Sequence, residues 1–260
     1  MAREVILLPE EEELARLEAR LHELEDRLAD QEEQLATLRR ERAGFLARYL
    51  GIVGVRLAAL DRLEADIAAA LADRNPSIET EQAAEKTRVQ AEQSSQALGD
   101  DPEALAHAAQ APVRETPEEF KRLYRKVAKA VHPDLASDER DRQARECLMA
   151  EANRAYEEGD ARRLQGILDG WSARPESVGG DGVGARLIRT IRLIAAVETR
   201  LAAIVGEIAA LASDDLEKLR EEERRARADG RDLLQEMADE LDVRMARATE
   251  RLAELPIPEH

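Results

Sequence analysis

Leucine recurs at Leu14, Leu17, Leu21, Leu24 and Leu28, then at Leu35 and Leu38, and the apolar stripe goes on through Phe45, Tyr49 and Ile52. The steps alternate between three and four, with Gln31 and Arg42 as polar interruptions. Such spacing puts every one of these side chains on one edge of a single helix. An apolar edge of this length has to be buried against another helix. The chain is therefore committed to a long helix with a partner. The stripe continues less strictly through Leu57, Leu60, Leu63, Ile67 and Leu71, and Asn75–Pro76 closes it, because proline disfavours a helical residue before it. The reading places one long helix over residues 10–72.

A second long helix is expected over residues 185–255, after the glycine-rich run at 179–184. Its stripe is Leu187, Ile191, Ile194, Val197, Leu201, Ile204, Ile208 and Leu211, and it loosens from Leu216 to Leu252. The first helix is charge-rich early and apolar late. The second is apolar early and charge-rich late. Folding them back antiparallel superposes the two apolar halves, with the start of the second helix opposite the end of the first. This order predicts a long antiparallel coiled-coil hairpin within one chain, with a parallel homodimer as the alternative.

Composition agrees with helices throughout. Charged residues make up 37% of the chain and aromatics 2%, and Ala, Leu, Glu and Arg dominate. That is the usage of long helices rather than of a large globular core, and the expected class is all-α. The one cysteine, Cys147, excludes a disulfide framework or a cysteine-built zinc site, fits a reducing compartment, and reads as a buried small residue. The apolar stretches at 45–60 and 187–211 are interrupted by Arg48 and Arg56, and by Arg189, Arg192, Glu198, Arg200 and Glu207, so no membrane span is expected. The apolar patch near the first residues is too short for a signal peptide, and the expectation is a soluble, cytoplasmic protein. A net charge of -17 disfavours general nucleic-acid binding. His22, His107 and His260 have no partners at ligand spacing, and no nucleophile–base pair or phosphate loop is visible. Catalytic residues, cofactors and metals are not expected.

Between the long helices the expected order is a flexible or weakly helical linker (73–114), a compact helical segment (115–171) and a Gly- and Pro-containing hinge (172–184). Asp101–Pro102 is placed to cap a short helix ending near Gln110. In the compact segment, Thr116-Pro117-Glu118-Glu119 reads as a capping box. The helix it opens has an apolar stripe of Phe120, Leu123, Val127 and Val131, with Tyr124 alongside. From residue 120 to 131 there are five cations, Lys121, Arg122, Arg125, Lys126 and Lys129, and no acid; three of the chain's five lysines lie there. His132-Pro133-Asp134 ends that helix. Ser137 or Asp138 can start the next, which carries Ala144, Leu148, Ala152, Ala155 and Tyr156. Gly159-Asp160 stops it and caps a third helix with Leu164, Ile167, Leu168 and Trp171. The first two should form an antiparallel hairpin with His-Pro-Asp in the exposed loop at its tip, and Tyr124, Tyr156 and Trp171 in its core.

Over about fifty-five residues, YRKVAKAVHPD followed by EANRAYEEGD resembles the J domain of DnaJ-type co-chaperones. In that family a basic helix with a Tyr-Arg-Lys run leads to a His-Pro-Asp loop. A later helix carries an Asn-x-Ala-Tyr element, matched here by Asn153, Ala155 and Tyr156. The resemblance implies that His132, Pro133 and Asp134, with the docking face of Lys121, Arg122, Arg125, Lys126 and Lys129, recruit a DnaK-type ATPase and stimulate its ATP hydrolysis. The chemistry then belongs to the partner, while the coiled coil grips a target or client. The family's usual first helix is not visible, nor is a Gly/Phe-rich region or a cysteine-rich zinc repeat. Two other readings stand beside this one: a scaffolding coiled-coil protein whose J-like domain no longer recruits the ATPase, and a nucleic-acid binder using the basic helix.

Overall fold

The structure is a computed structural model and describes residues 9–110, 112, 115–172 and 182–255. Among the described residues there are helices and no strand, which is the all-α class expected. Helix α1 (Pro9–Tyr49), a π-helical turn (Leu50–Gly54) and α2 (Val55–Arg74) follow one another without a break, and Asn75 leaves the helix at φ -136° before Pro76, as the proline requires. Then come α3 (Ile78–Ala97), α4 (Pro102–Gln110), α5 (Glu118–Val131), a 3-10 turn (Pro133–Leu135), α6 (Glu139–Glu158), α7 (Ala161–Ser172), α8 (Val183–Ser213), α9 (Asp215–Ala228) and α10 (Leu233–Glu254).

The chain divides into two compact units, Met1–Glu41 with Arg114–Asp214, and Arg42–Val113 with Asp215–His260. In the first unit, the leucine edge of α1 is buried against α8, with Leu24, Leu28 and Leu35 meeting Val197, Leu201 and Ile204. Ion pairs set the direction. Arg186 Nη2 binds Glu18 at 2.6 Å, Arg200 Nε binds Glu32 at 2.7 Å and Arg39 Nη2 binds Glu207 at 2.7 Å, each pair 168 positions apart. A constant difference means that the two helices run parallel. The antiparallel hairpin is therefore overturned in this unit: the start of α8 lies beside the early part of α1. The physical reason is that an apolar stripe is buried equally well in either direction. The choice falls to the flanking charges and to the path of the intervening chain. Here α5 runs antiparallel to α1, with Arg40 over the Phe120 ring and Lys129 paired with Asp26, which returns the chain toward the early turns of α1. The second core of this unit joins α5, α6 and α7 through Tyr124, Val127, Ala152, Tyr156 and Leu164, with Ala36 of α1 against it.

In the second unit, α3 folds back antiparallel on α2, and Asp61 accepts hydrogen bonds from Gln90 and Ser94 of α3. Helix α10 lies along α2, burying Val53, Leu60 and Ile67 with Leu234 and Leu241. Arg56 binds Asp242 at 3.0 Å and Glu64 binds Arg244 at 3.6 Å, so these helices also advance in the same direction. Segment 73–114, read as a linker, holds two packed helices. Ser77 and Thr80 form the capping box of α3, and Asp101 Oδ1 accepts from Ala104 N at the start of α4. The sequence lacks an apolar period there because α3 buries no residue fully and packs by its small and polar side chains.

The single helix expected over 185–255 is three, interrupted at Asp214 and again at Gly230, whose φ of +76° is the left-handed conformation that glycine adopts freely. Most of the expected hinge, residues 173–181, and the stop at Pro256 lie outside the described residues. The run Pro9–Arg74 contains an 18-residue window of mean hydropathy 1.5, long and apolar enough by composition to cross a membrane. Both arginines of that apolar stretch are engaged by protein groups: Arg48 lies 3.6 Å from Glu223, and Arg56 binds Asp242 and the Ile52 carbonyl.

Candidate partner-docking site

The basic helix α5 begins one residue later than its sequence suggests. Pro117 occupies the N-cap position, no side chain caps the helix, and the Thr116 capping box is not formed. Glu118 and Glu119 in the first turn offset the positive end of the helix dipole. Phe120, Tyr124, Val127, Ala128 and Val131 form the buried face. Phe120 stacks on Tyr156 with ring centroids 4.7 Å apart, and Tyr124 lies tilted against it at 4.5 Å. Tyr124 Oη donates to Asn153 Oδ1 at 2.5 Å, which ties α5 to α6 in the antiparallel sense. Burial raises the Tyr124 hydroxyl well above its ordinary range and the Tyr156 hydroxyl to about 12, so both remain donors at physiological pH.

The turn between α5 and α6 is closed by Arg145, which the sequence reading did not single out. Its Nη1 donates to the Ala130 carbonyl at 3.1 Å, its Nε binds Asp141 at 3.0 Å, and its guanidinium lies 4.6 Å over the Trp171 ring. Asp138, not Ser137, caps α6 through Asp141 N, and Gly159 at φ +79° ends it. Cys147, expected inside, is exposed on α6, because Met149 and Ala152 supply the buried face there.

His132 is extended, and Pro133 starts the 3-10 turn. The imidazole Nδ1 accepts the Asp134 backbone N–H at 3.1 Å, which leaves the ring proton on Nε2 to be donated to Glu32 Oε1 at 3.1 Å. His132 is only 3% exposed, so the expectation that it stands free in the loop is corrected: α1 covers it. Pro133 and Asp134 are half-buried. Glu32 is itself buried and held by Arg200 Nε. Burial works to raise the Glu32 carboxyl, but the hydrogen bonds from His132 and Arg200 outweigh it and hold the group below the usual carboxylate range.

The cations divide into two sets. Arg125 binds Glu118 at 2.8 Å, Glu33 at 3.2 Å and Asp30 at 3.6 Å, and Lys129 pairs with Asp26. Arg122 and Lys126 are exposed, and Lys121 is half-buried. The structure thus gathers His132, Arg125 and Lys129 against α1 and leaves Arg122 and Lys126 in solvent. The acids that receive them, Asp26, Asp30, Glu32 and Glu33, were legible only as a spacing: 26, 30 and 33 share a helix face, and 125 and 129 are one turn apart. A cleft of about 600 Å³ borders the turn, lined by Pro133, Asp134, Ser137, Arg142, Ile188 and Arg192 among others. No group of three or more potential metal ligands is assembled among the described residues. The chain matches no family model, no curated protein and no solved structure. The described residues are those of an all-α protein in which α5, the 3-10 turn and α6 form a charged helix–turn–helix element.

Proposed function

We propose that the chain is a J-domain co-chaperone that recruits a DnaK-type ATPase through α5 and the His132-Pro133-Asp134 turn and stimulates its ATP hydrolysis. The observation that carries the reading is the α5–turn–α6 hairpin, in which Tyr124 bonds Asn153 and the His-Pro-Asp run forms the turn between a basic helix and its antiparallel neighbour. Arg122, Lys126 and Lys121 supply steering toward an acidic surface, and Asp134 accepts charge-assisted hydrogen bonds from it. The remaining helices serve as the targeting or client-binding part of a cytoplasmic protein acting on protein partners rather than on nucleic acid or a membrane. The test is single-turnover ATP hydrolysis by purified DnaK with the full chain added. Wild type is expected to accelerate it, and Asp134→Asn to remove the acceleration with helicity unchanged. Equal acceleration by both would sink the assignment. His132→Gln is a poorer probe, because it also removes the contact to Glu32.

A second reading, a scaffolding helical protein whose J-like segment recruits nothing, is favoured by the burial of His132. Absence of acceleration by wild type and by every variant would leave that reading standing.

A further inference from the structure

The cations read as a docking face are partly occupied by this chain's own acids. Arg125 and Lys129 are ion-paired with Asp26, Asp30 and Glu33, and the His132 imidazole is bonded to Glu32, all four acids lying on α1. The leucines of α1 that meet α8 are Leu24, Leu28 and Leu35. Asp26, Asp30 and Glu33 lie on another face, spaced four and three, and confront the basic helix. α1 is thus a two-faced helix: one face is apolar packing, and the other presents carboxylates of the kind an acidic partner surface would bring to the same cations.

We infer that α1 is a built-in competitor for the recruitment face, so that Arg125, Lys129 and His132 become available to an ATPase only when the acidic face of α1 is displaced. The inference rests on the recruitment reading. The mask is displaceable from its exposed edge at Asp26 and Asp30, while Glu33, its side chain 7% exposed, anchors it beside Glu32. Asp26 and Asp30 keep side-chain exposures of 58% and 61%, and such pairs are individually weak and screened by salt. The buried His132–Glu32 bond sets the register, while the exposed Lys126, and the exposed Arg122 with only a 3.7 Å surface pairing to Glu118, make the first encounter.

The experiment uses the full chain in three forms: wild type, the triple variant Asp26→Asn/Asp30→Asn/Glu33→Gln, and an equal-charge control, Glu10→Gln/Glu12→Gln/Glu23→Gln. Two readouts are taken, single-turnover hydrolysis by purified DnaK and the rate at which an amine-acylating reagent labels Lys129 and Lys126. In wild type Lys129 is expected to label several-fold more slowly than Lys126. The triple variant should label Lys129 several-fold faster, leave Lys126 unchanged and stimulate hydrolysis several-fold more than wild type. The control should match wild type, and adding Asp134→Asn should remove the gain. Equal labelling of the two lysines in wild type, or equal stimulation by wild type and triple variant when both stimulate, overturns the mask and leaves recruitment intact. Lys129 released with no stimulation by any form overturns the recruitment reading and the regulatory inference with it. Should the triple variant lose helicity, Asp26→Asn alone carries the same two readouts, since that acid is exposed.

Discussion

Glu32 has the most consequential environment in the first unit. It is buried, it receives His132 Nε2 and Arg200 Nε, and its carboxyl is held below the usual range. A carboxyl whose folded value lies below its ordinary value of 4.5 contributes stability that is fully present above that value. The contribution is lost as pH falls through the lower, folded one. Asp26 and Asp141 are depressed in the same direction, Asp26 chiefly by its hydrogen bond to Lys129. Wild type should therefore keep its resistance to urea above about pH 4.5 and lose it as pH falls from there through the lower, folded values of these carboxyls. Glu32→Gln should lose less over the same range, because one of the responsible groups no longer titrates. An equal loss in both proteins would show that Glu32 is not a source of the acid sensitivity.

Among the elements, the π-helical turn Leu50–Gly54 shows how local composition permits packing. Gly51 has no side chain where α4 crosses it; a Cβ there would fall inside the contact radius of the Leu105 carbonyl oxygen and touch Ala109 Cβ at 3.0 Å. Backbone oxygen cannot rotate away as a flexible side chain does, so Gly51→Ala should displace α4 rather than be absorbed. Overpacking of this kind costs about 1–3 kcal/mol, seen as a lowered urea midpoint with faster hydrogen exchange in α4. Unchanged exchange in α4 would mean that α4 does not rest on the turn. By contrast, Gly44 has open space around its Cβ position, and Gly44→Ala makes the control.

For the molecule as a whole, the question is whether the leucine edge of α1 is satisfied within one chain. In the structure it is, through Leu24, Leu28 and Leu35 against Val197, Leu201 and Ile204. Light scattering should accordingly give the mass of a single chain, 29.0 kDa. In a Cys147→Ser background, cysteines at Glu18 and Arg186, and separately at Arg39 and Glu207, should be bridged within the chain by a short bis-maleimide. An antiparallel hairpin would bridge neither pair, and a coiled-coil dimer would bridge them only between chains while doubling the mass.

The sequence by itself determined that the chain is helical and which edges are apolar, because an apolar residue every three or four positions has few other solutions. It also located the α5–α6 hairpin, since Pro133, Asp138 and Gly159 act on the backbone within a turn of themselves. The direction of helix pairing and the covering of His132 were decided only in the tertiary structure. Burying a leucine edge releases nearly the same free energy whichever way the partner runs. The deciding groups, Glu18, Glu32 and Arg39 on one helix and Arg186, Arg200 and Glu207 on the other, are ordinary surface charges until they are brought within a few ångströms. Likewise Asp26, Asp30 and Glu33 look like a solvated acidic face, and it is only the fold that sets them against Arg125 and Lys129.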